Sequence, residues 1–264
     1  MTAFVVVPCF NEASRWNTQY WTDVTKIPRT RWVFVDDGST DETLQLVEDF
    51  CSDSPHHFIS QHRNQGKAEA VRRGLMWSLD EALPGDTLAF IDADGAFERA
   101  DIERLLNLSR TKFTDGEWDA VWSSRVALAG RDIHRSPRRH YLGRVAATIL
   151  FGSQIDVPYD TQSGLKAFRY STDLRAILQS PFETRWLFEI EMLLRFQIDH
   201  GHHLRVWEEP LMHWSEVPGS KVAGRELLRA SREIALVKKM QWELARERKG
   251  NDHSQDFRTS STRN

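Results

Sequence analysis

The sequence is poor in cysteine. Only two of its 264 residues are cysteines, Cys9 and Cys51, and neither lies in a CxxC motif or in a Cys/His cluster with zinc-ligand spacing. These spacings exclude a disulfide framework and a structural zinc site. Low cysteine usage without disulfides is typical of the reducing cytosol, so we expect a cytoplasmic protein.

Long apolar runs are also absent. The stretch Ala3–Val7 ends at Pro8 and has no basic segment before it, which is typical of a strand and not of a signal peptide. The run Val145–Phe151 is far shorter than the ~20 residues that span a bilayer. We therefore expect any membrane contact to be peripheral, on the cytoplasmic face.

The chain has no excess of one charge. Its 35 Lys and Arg residues nearly balance 38 Asp and Glu residues, which leaves a formal charge of −3. Bulk charge therefore attracts neither nucleic acid nor anionic lipid, and we predict no nucleic-acid partner. A hydrophobic fraction of 40% and the chain length predict one large globular domain.

Short β-branched runs alternate with helical patterns in the N-terminal half, which predicts a doubly wound, Rossmann-like α/β sheet. The predicted strands there are Ala3–Val7, Trp32–Val35 and Thr87–Ile91. The predicted helices are Asp41–Cys51, with Ser39 and Thr40 as N-cap candidates, and Lys67–Leu83. After residue 120 we predict strands at Ala120–Ser123 and Leu165–Arg169, helices at Arg185–Phe196 and Lys221–Arg248, and a disordered tail over residues 250–264.

Two carboxylates, Asp92 and Asp94, follow the predicted strand that ends at Ile91. Alternate residues of an extended backbone point the same way, so both carboxylates can bind one hard cation. The functional interpretation is a bound Mg²⁺ or Mn²⁺ that holds a diphosphate and neutralises charge on the leaving nucleotide. The structural alternative is a polar strand end that forms a turn.

Polar residues at other strand ends support the functional interpretation. Asp36 and Asp37 follow Val35, and Phe10 to Glu12 follow the first strand, where they suit a base and a ribose. In open α/β sheets, ligands bind at the carboxyl ends of the strands. Lys67 begins a helix whose free backbone N–H groups can face phosphate, although a plain helix start explains it equally well. The segment lacks the P-loop pattern.

Taken in order, eight segments resemble the family 2 glycosyltransferases and, within them, the dolichyl- or polyprenyl-phosphate glycosyltransferases. The segments are VVVPCFNEASR, VFVDDGSTDET, RNQGKAEAVRRG, FIDADGAFE, SSR at 123–125, DTQSGLKAFR, RWLFEIEML and EEPLMHWSEVPGSKV. The last resembles the glucosyltransferase branch more than the mannosyltransferase branch.

This resemblance implies a GT-A fold with a mixed sheet over residues 1–249, in which a donor half runs to about residue 120 and an acceptor half covers 121–249. It implies that the nucleotide is held by Pro8, Phe10, Glu12 and Asp37, that metal and diphosphate are held by Asp92, Ala93 and Asp94, and that Lys67 and Lys221 contact the donor. Arg125 matches a residue associated with the acceptor phosphate, and Arg138 or Arg139 would add a contact.

The chain also departs from the family pattern. Ala96 replaces a Gln of the mannosyl branch, and Ser215 and Glu216 stand near a donor-contacting Arg of that branch, which disfavours GDP-mannose. Glu189 replaces the usual Asp of the FDxE pattern but retains the carboxylate.

Three functions are consistent with these residues. The first is inverting transfer of a hexose, with glucose favoured, from a UDP-sugar to a polyprenyl or dolichyl phosphate, which is already ionised and needs cations and no general base. The second is transfer to a hydroxyl, for which Asp160 is the candidate base. The third is a non-catalytic nucleotide-sugar sensor. The amphipathic final helix either packs on the core or lies at a membrane surface.

Overall fold

A seven-stranded mixed sheet forms the centre of the protein. The computed structural model describes residues 1–134, 158–215, 232–243 and 246. The strands are β1 (Ala3–Cys9), β2 (Thr30–Asp36), β3 (His57–Ser60), β4 (Thr87–Ile91), β5 (Ala120–Ser124), β6 (Asp132–His134), β7 (Leu165–Arg169), β8 (Val206–Pro210) and β9 (His213–Ser215). The helices are α1 (Thr18–Val24), α2 (Thr43–Ser52), α3 (Lys67–Glu81), α4 (Arg99–Thr114), α5 (Thr172–Leu178), α6 (Phe188–His200) and α7 (232–243).

The strand order in the main sheet is β3-β2-β1-β4-β7-β5-β8, and β6 pairs with β9 in a separate ribbon. Strands β1 to β4 are mutually parallel where they pair, whereas β7 is antiparallel to both of its neighbours, β4 and β5. The carboxyl ends of β1, β2 and β4 therefore meet at one edge of the sheet. The predicted mixed α/β fold is confirmed.

Alternation along the strands divides the apolar core between the two faces of the sheet. In β1, Val5 and Val7 pack on the face covered by α1, α2 and α4, whereas Phe4 and Val6 pack on the face covered by α3, α5 and α6. Successive side chains of a strand point to opposite faces, so a strand that is apolar throughout must be covered on both sides.

Helix α3 approaches the sheet unusually closely because of Gly74. A Cβ at this position would lie 2.3 Å from Val6 Cγ1 and 2.9 Å from Val6 Cγ2. Glycine destabilises a helix interior by roughly 1 kcal/mol relative to alanine. The close packing of α3 on the sheet offsets this loss of helix stability. The approach also fixes the N-terminal end of α3, where Lys67 lies.

Most predicted elements are confirmed within a few residues, but the predicted N-cap of the second helix is wrong. Helix α2 begins at Thr43 with Glu42 as its cap residue. The Ser39 hydroxyl instead accepts a hydrogen bond from the Asn11 backbone, and Asn11 accepts one from the Thr40 backbone. Contacts with the neighbouring strand end thus hold this segment outside the helix.

Several short elements were not predicted, and neither was helix α4. The missed short elements are helices α1 and α5 and strands β3, β6, β8 and β9. Local caps are present at α1, where Asn17 accepts a hydrogen bond from the Tyr20 backbone, and at α5, where Ser171 accepts one from the Leu174 backbone. The predicted helix at Arg185–Phe196 begins later, at Phe188, and extends to His200. Residues 135–157, the predicted tail and most of the predicted helix Lys221–Arg248 lie outside the described residues.

The described part of the final helix packs on the protein itself. Val237 of α7 is fully buried against Leu187, Ile190 and Leu194. Glu233 accepts hydrogen bonds from the backbone N–H groups of three consecutive residues, Arg185 to Leu187. The packing interpretation is thus confirmed for these residues. Within the described ranges, no helix combines the length and the apolar character that are needed to cross a bilayer.

A lysine side chain lies inside the core. Lys166 of β7 is fully buried between the rings of Phe90 and Trp122, whose centroids lie 5.4 and 4.9 Å from its Nζ. Its ammonium group donates to the Ser163 carbonyl and lies 3.5 Å from Glu189 Oε1. Burial lowers the pKa of Lys166 to about 8, although the charge of Glu189 opposes the shift.

This buried lysine makes stability depend on pH in a defined direction. Between pH 8 and its ordinary pKa of 10.5, the unfolded chain holds the Lys166 proton more often than the folded chain does. Wild-type stability should therefore rise with pH relative to Lys166→Met, by on the order of 3 kcal/mol across this interval. Urea unfolding at both ends of the interval measures the difference. Lys239→Met, which removes an exposed lysine of α7, is the control and should show no such slope. A pH-independent difference between wild type and Lys166→Met would contradict the buried ammonium.

Candidate active site

The structure brings Asp92, Asp94 and Lys67 together at the carboxyl end of β4. Lys67 Nζ lies 2.6 Å from Asp92 Oδ1, and Asp94 Oδ1 accepts a hydrogen bond from the Ala96 backbone at 3.1 Å. Burial and the neighbouring charge of Asp92 raise the pKa of Asp94. The Lys67 ammonium thus balances part of a carboxylate cluster at the N-terminus of α3.

Glu12 adds negative charge to this region. Burial raises its pKa, an effect that Arg15 opposes at 2.5 Å and that the charges of Asp94 and Asp92 reinforce. Glu12 Oε2 is buried and has no hydrogen-bond partner within the described part of the chain. This edge of the sheet therefore has a buried oxygen without a hydrogen-bond donor among the described residues, and it has negative charge that nearby cations balance only in part.

A divalent cation fits these residues. Mg²⁺ and Mn²⁺ prefer oxygen ligands, and Asp92 and Asp94 supply carboxylates from a single strand end. No group of three metal-ligating side chains converges within the described residues, so two carboxylates would leave the other coordination positions to the diphosphate and water. The donor set thus suits a cation that is bound together with a phosphorylated ligand.

Gly164 is a site residue that the sequence analysis did not identify. Its carbonyl accepts a hydrogen bond from the Asp92 backbone at 3.0 Å, and a Cβ at this position would lie 2.2 Å from Asp92 Oδ2. The glycine of the QSG segment therefore lets the backbone pass directly beside the Asp92 carboxylate. Spacing along the chain could not reveal this contact, because 72 residues separate the two positions.

Asp37 anchors the loop before α3. Its carboxylate accepts hydrogen bonds from the side chains of Gln61 and Asn64 and from the backbone of Gln65 and Gly66, at 2.7 to 3.1 Å. Burial raises its pKa, while the two backbone hydrogen bonds oppose the shift. This network positions Lys67, and a direct contact between Asp37 and a nucleotide base stays a prediction.

The end of β1 supplies the remaining predicted donor residues. Phe10 is 39% exposed, so its ring is available to stack on a planar base. Glu12 is held in place because its backbone donates to Thr43 Oγ1 at 2.7 Å. Pro8 is half-buried in β1, and Ala93 is buried between the two site aspartates. Lys221, Arg138 and Arg139 lie outside the described residues.

Arg125 and Asp160, predicted as alternative acceptor-side groups, form one ion pair. Arg125 Nε and Nη2 each donate to Asp160 at 2.8 Å, and the Arg125 backbone donates to the same carboxylate at 3.0 Å. Asp160 is 4% exposed. The charges of Asp92 and Glu189 also act on Arg125, so the pair lies near the carboxylate cluster. A buried, bidentate pair makes Asp160 poorly suited to act as a free base.

Replacement of Gly164 should disrupt the site through Asp92. Because a methyl group would overlap the Asp92 carboxylate, Gly164→Ala should weaken Mn²⁺ binding at least tenfold, as measured by calorimetry in the presence of UDP. Gly116→Ala is the control, because an added Cβ there meets no atom within 4 Å, although its positive φ of 66° costs stability. Equal Mn²⁺ affinity in wild type and Gly164→Ala would exclude the steric role.

Comparison with known proteins agrees with this geometry. The chain is 28% identical over 228 residues to a dolichyl-phosphate beta-glucosyltransferase of Trichomonas vaginalis, with 82% of this chain and 65% of that protein covered. It is 28% identical over 254 residues to the Saccharomyces cerevisiae protein of the same description, with 89% and 73% covered. The chain thus spans about two thirds of the length of these relatives.

Solved structures share the fold. Glucosyl-3-phosphoglycerate synthase from Mycobacterium tuberculosis, crystallised with Mn²⁺ and UDP, superposes with a TM-score of 0.60 at 20% identity, covering 89% of this chain and 78% of that one. Mannosyl-3-phosphoglycerate synthase from Rubrobacter xylanophilus gives a TM-score of 0.64 at 17% identity, covering 94% and 75%. The predicted GT-A fold is confirmed.

The family assignment follows from the sequence profile described as "Glycosyl transferase family 2". It matches residues 4–169, a range that includes the ends of β1, β2 and β4, the Lys67 helix and the Arg125–Asp160 pair. The chain therefore belongs to glycosyl transferase family 2.

Proposed function

We propose that this chain is a metal-dependent inverting glycosyltransferase that moves a hexose, with glucose favoured, from a UDP-sugar to a polyprenyl or dolichyl phosphate. The observation that carries the proposal is the position of a guanidinium, Arg125, near an acidic cation site formed by Asp92 and Asp94. The dolichyl-phosphate beta-glucosyltransferases among its relatives support this acceptor class and this sugar.

Donor binding would use the carboxyl ends of β1, β2 and β4. Asp92 and Asp94 would hold Mg²⁺ or Mn²⁺, which supplies charge neutralisation for the departing diphosphate when bound. Lys67 would exchange its contact with Asp92 for a phosphate oxygen as the cation takes over that carboxylate. Phe10 and Glu12 would contact the base and ribose. The Mn²⁺ and UDP complex of the M. tuberculosis fold neighbour supports such a donor.

Acceptor activation would need no proton transfer. A phosphate monoester is ionised at neutral pH, so its oxygen can attack the sugar C1 directly once cations hold it in place. The bidentate pair leaves part of the Arg125 guanidinium for this anion, while Asp160 is occupied. This arrangement favours a charged acceptor over a hydroxyl, which would need a free base. A lipid-linked acceptor would in turn require peripheral contact with a membrane.

Removal of one metal-binding carboxylate tests the donor site. Asp94→Asn should lower kcat/KM by at least a hundredfold, because the amide keeps the shape but loses the charge that binds the cation. Its melting temperature without metal should match or exceed that of wild type, since the change relieves repulsion from Asp92. Transfer assays with and without EDTA, together with thermal melts, measure both effects. Wild-type transfer that persists in EDTA would refute the metal role.

The acceptor class is tested by Arg125→Ala and Asp160→Asn. With a short-chain polyprenyl phosphate, Arg125→Ala should lower kcat/KM roughly tenfold to a hundredfold, because a charge-assisted contact to the reacting group is lost. Asp160→Asn should raise the acceptor KM by loosening Arg125, without removing an ionisation from the pH profile of kcat.

A hydroxyl acceptor predicts a different pattern. Asp160→Asn would then lower kcat by roughly 10²–10⁴-fold and abolish the acidic limb of the profile, because a general base would be lost. Wild-type transfer to a soluble saccharide, with no transfer to any polyprenyl phosphate, would overturn the proposed acceptor and leave the donor site intact.

A further inference from the structure

Trp214 contacts Arg125, the cation that we propose for acceptor binding. The Arg125 guanidinium carbon lies 5.1 Å from the centroid of the Trp214 ring, within the range of a cation–π contact. Trp214 is a half-buried residue of β9 that packs against the apolar core on the α4 face of the sheet. Trp214 lies in the segment EEPLMHWSEVPGSKV but is not among the donor or acceptor residues that the resemblance implies, and the family match ends before it, at residue 169.

Asp160, which also contacts Arg125, is itself held in place by hydrogen bonds. Asp160 binds Nε and Nη2 of the guanidinium, and its own backbone N–H donates to Glu208 Oε1 at 2.7 Å. Glu208 Oε2 also accepts from the Tyr159 backbone at 2.8 Å. The carboxylate that faces Arg125 is therefore anchored to β8 of the main sheet.

Trp214 is anchored to a different part of the fold. Ile133 of β6 pairs with Trp214, and the two residues before Trp214, Met212 and His213, both donate backbone hydrogen bonds to Asp101 at 3.0 Å. Asp101 is 1% exposed in the first turn of α4. The backbone next to Trp214 is thus held by α4, through hydrogen bonds other than those that hold Asp160.

Two supports, Asp160 and Trp214, restrict the Arg125 side chain, which is otherwise flexible. The Asp160 carboxylate binds one edge of the planar Arg125 guanidinium. The Trp214 indole ring lies against the guanidinium, where it excludes water and limits rotation of the Arg125 side chain. Arg125 is only 14% exposed as a result. Because an anion must meet the guanidinium in a defined plane for a bidentate contact, orientation of Arg125 contributes directly to binding.

We propose that Trp214 is a positioning residue that holds Arg125 in the orientation that receives the phosphate monoester of the acceptor. This inference rests on the proposed function, because it assigns Trp214 a role in recognition of that phosphate. Trp214 acts through Arg125 and does not itself contact the reacting atoms.

A set of variants at Trp214 tests the proposal. Trp214→Leu keeps apolar volume against the core but removes the aromatic face, and Trp214→Phe keeps a face. Trp214→Leu should raise the KM for a short-chain polyprenyl phosphate roughly tenfold and leave the UDP-sugar KM within twofold of wild type. Trp214→Phe should restore most of the affinity. Trp118→Leu is the matched control, because this half-buried tryptophan contacts Lys112 at 6.0 Å and lies outside the site.

A double-mutant cycle separates positioning from a general structural effect. In an Arg125→Ala background, Trp214→Leu should change kcat/KM for the acceptor by less than twofold, because the group that it orients is absent. The same tenfold loss in both backgrounds would overturn the proposal, as would equal increases in donor and acceptor KM. If wild type transfers no sugar to any phosphate acceptor, the proposed function fails and the role of Trp214 fails with it. An active wild type with unaffected Trp214 variants refutes the role of Trp214 alone.

Discussion

Electrostatic repulsion between carboxylates at the ends of β1 and β4 is the constraint around which the site is organised. Burial raises the pKa values of Glu12 and Asp94, and the charge of Asp92 adds to the rise at both residues, because each charge costs more in this partly buried setting than in water. Lys67 at 2.6 Å from Asp92 and Arg15 at 2.5 Å from Glu12 supply the compensating charges. The remaining negative charge is the reason that we propose a cation at these strand ends.

The scaffold that holds these charges is itself polar and buried. Asp37 connects β2 to the loop before α3 through four hydrogen bonds, and Gly74 lets α3 lie close to the sheet. Together, these contacts fix the position and orientation of Lys67 relative to Asp92. A lysine at the start of a helix is thereby changed from a flexible surface group into a fixed counter-charge.

On the proposed acceptor side, a charged group is also held in place by its neighbours, but its charge is positive. Arg125 is a cation whose orientation is set by Asp160, by way of Glu208, and by Trp214, by way of Asp101. These supports come from β8, which is distant from Arg125 in sequence, and from α4, which directly precedes β5. The site therefore places a fixed anionic half, suited to metal and diphosphate, beside a fixed cationic group that is suited to a phosphate.

The sequence by itself determined the buried parallel strands, the helix that begins at Lys67 and the acidic pairs at the strand ends. These features are local, since apolar runs, turns and the alternation of side chains depend on neighbouring residues. Strand β8 was not predicted because it is short and half-buried, and its place in the sheet depends on pairing with β5. The apolar face of α4, which includes Ile102, Leu105 and Phe113, is present in the sequence and was missed.

Contacts between distant segments were decided only by the tertiary structure. The antiparallel insertion of β7 between β4 and β5 brings Gly164 against Asp92, and the same part of the fold pairs Asp160 with Arg125. The sequence left Asp160 as a candidate base for a hydroxyl acceptor, and the family resemblance implied that Asp37 holds the nucleotide. Their hydrogen-bond partners are 24 or more residues away in the chain, so only folding reveals how these two carboxylates are occupied.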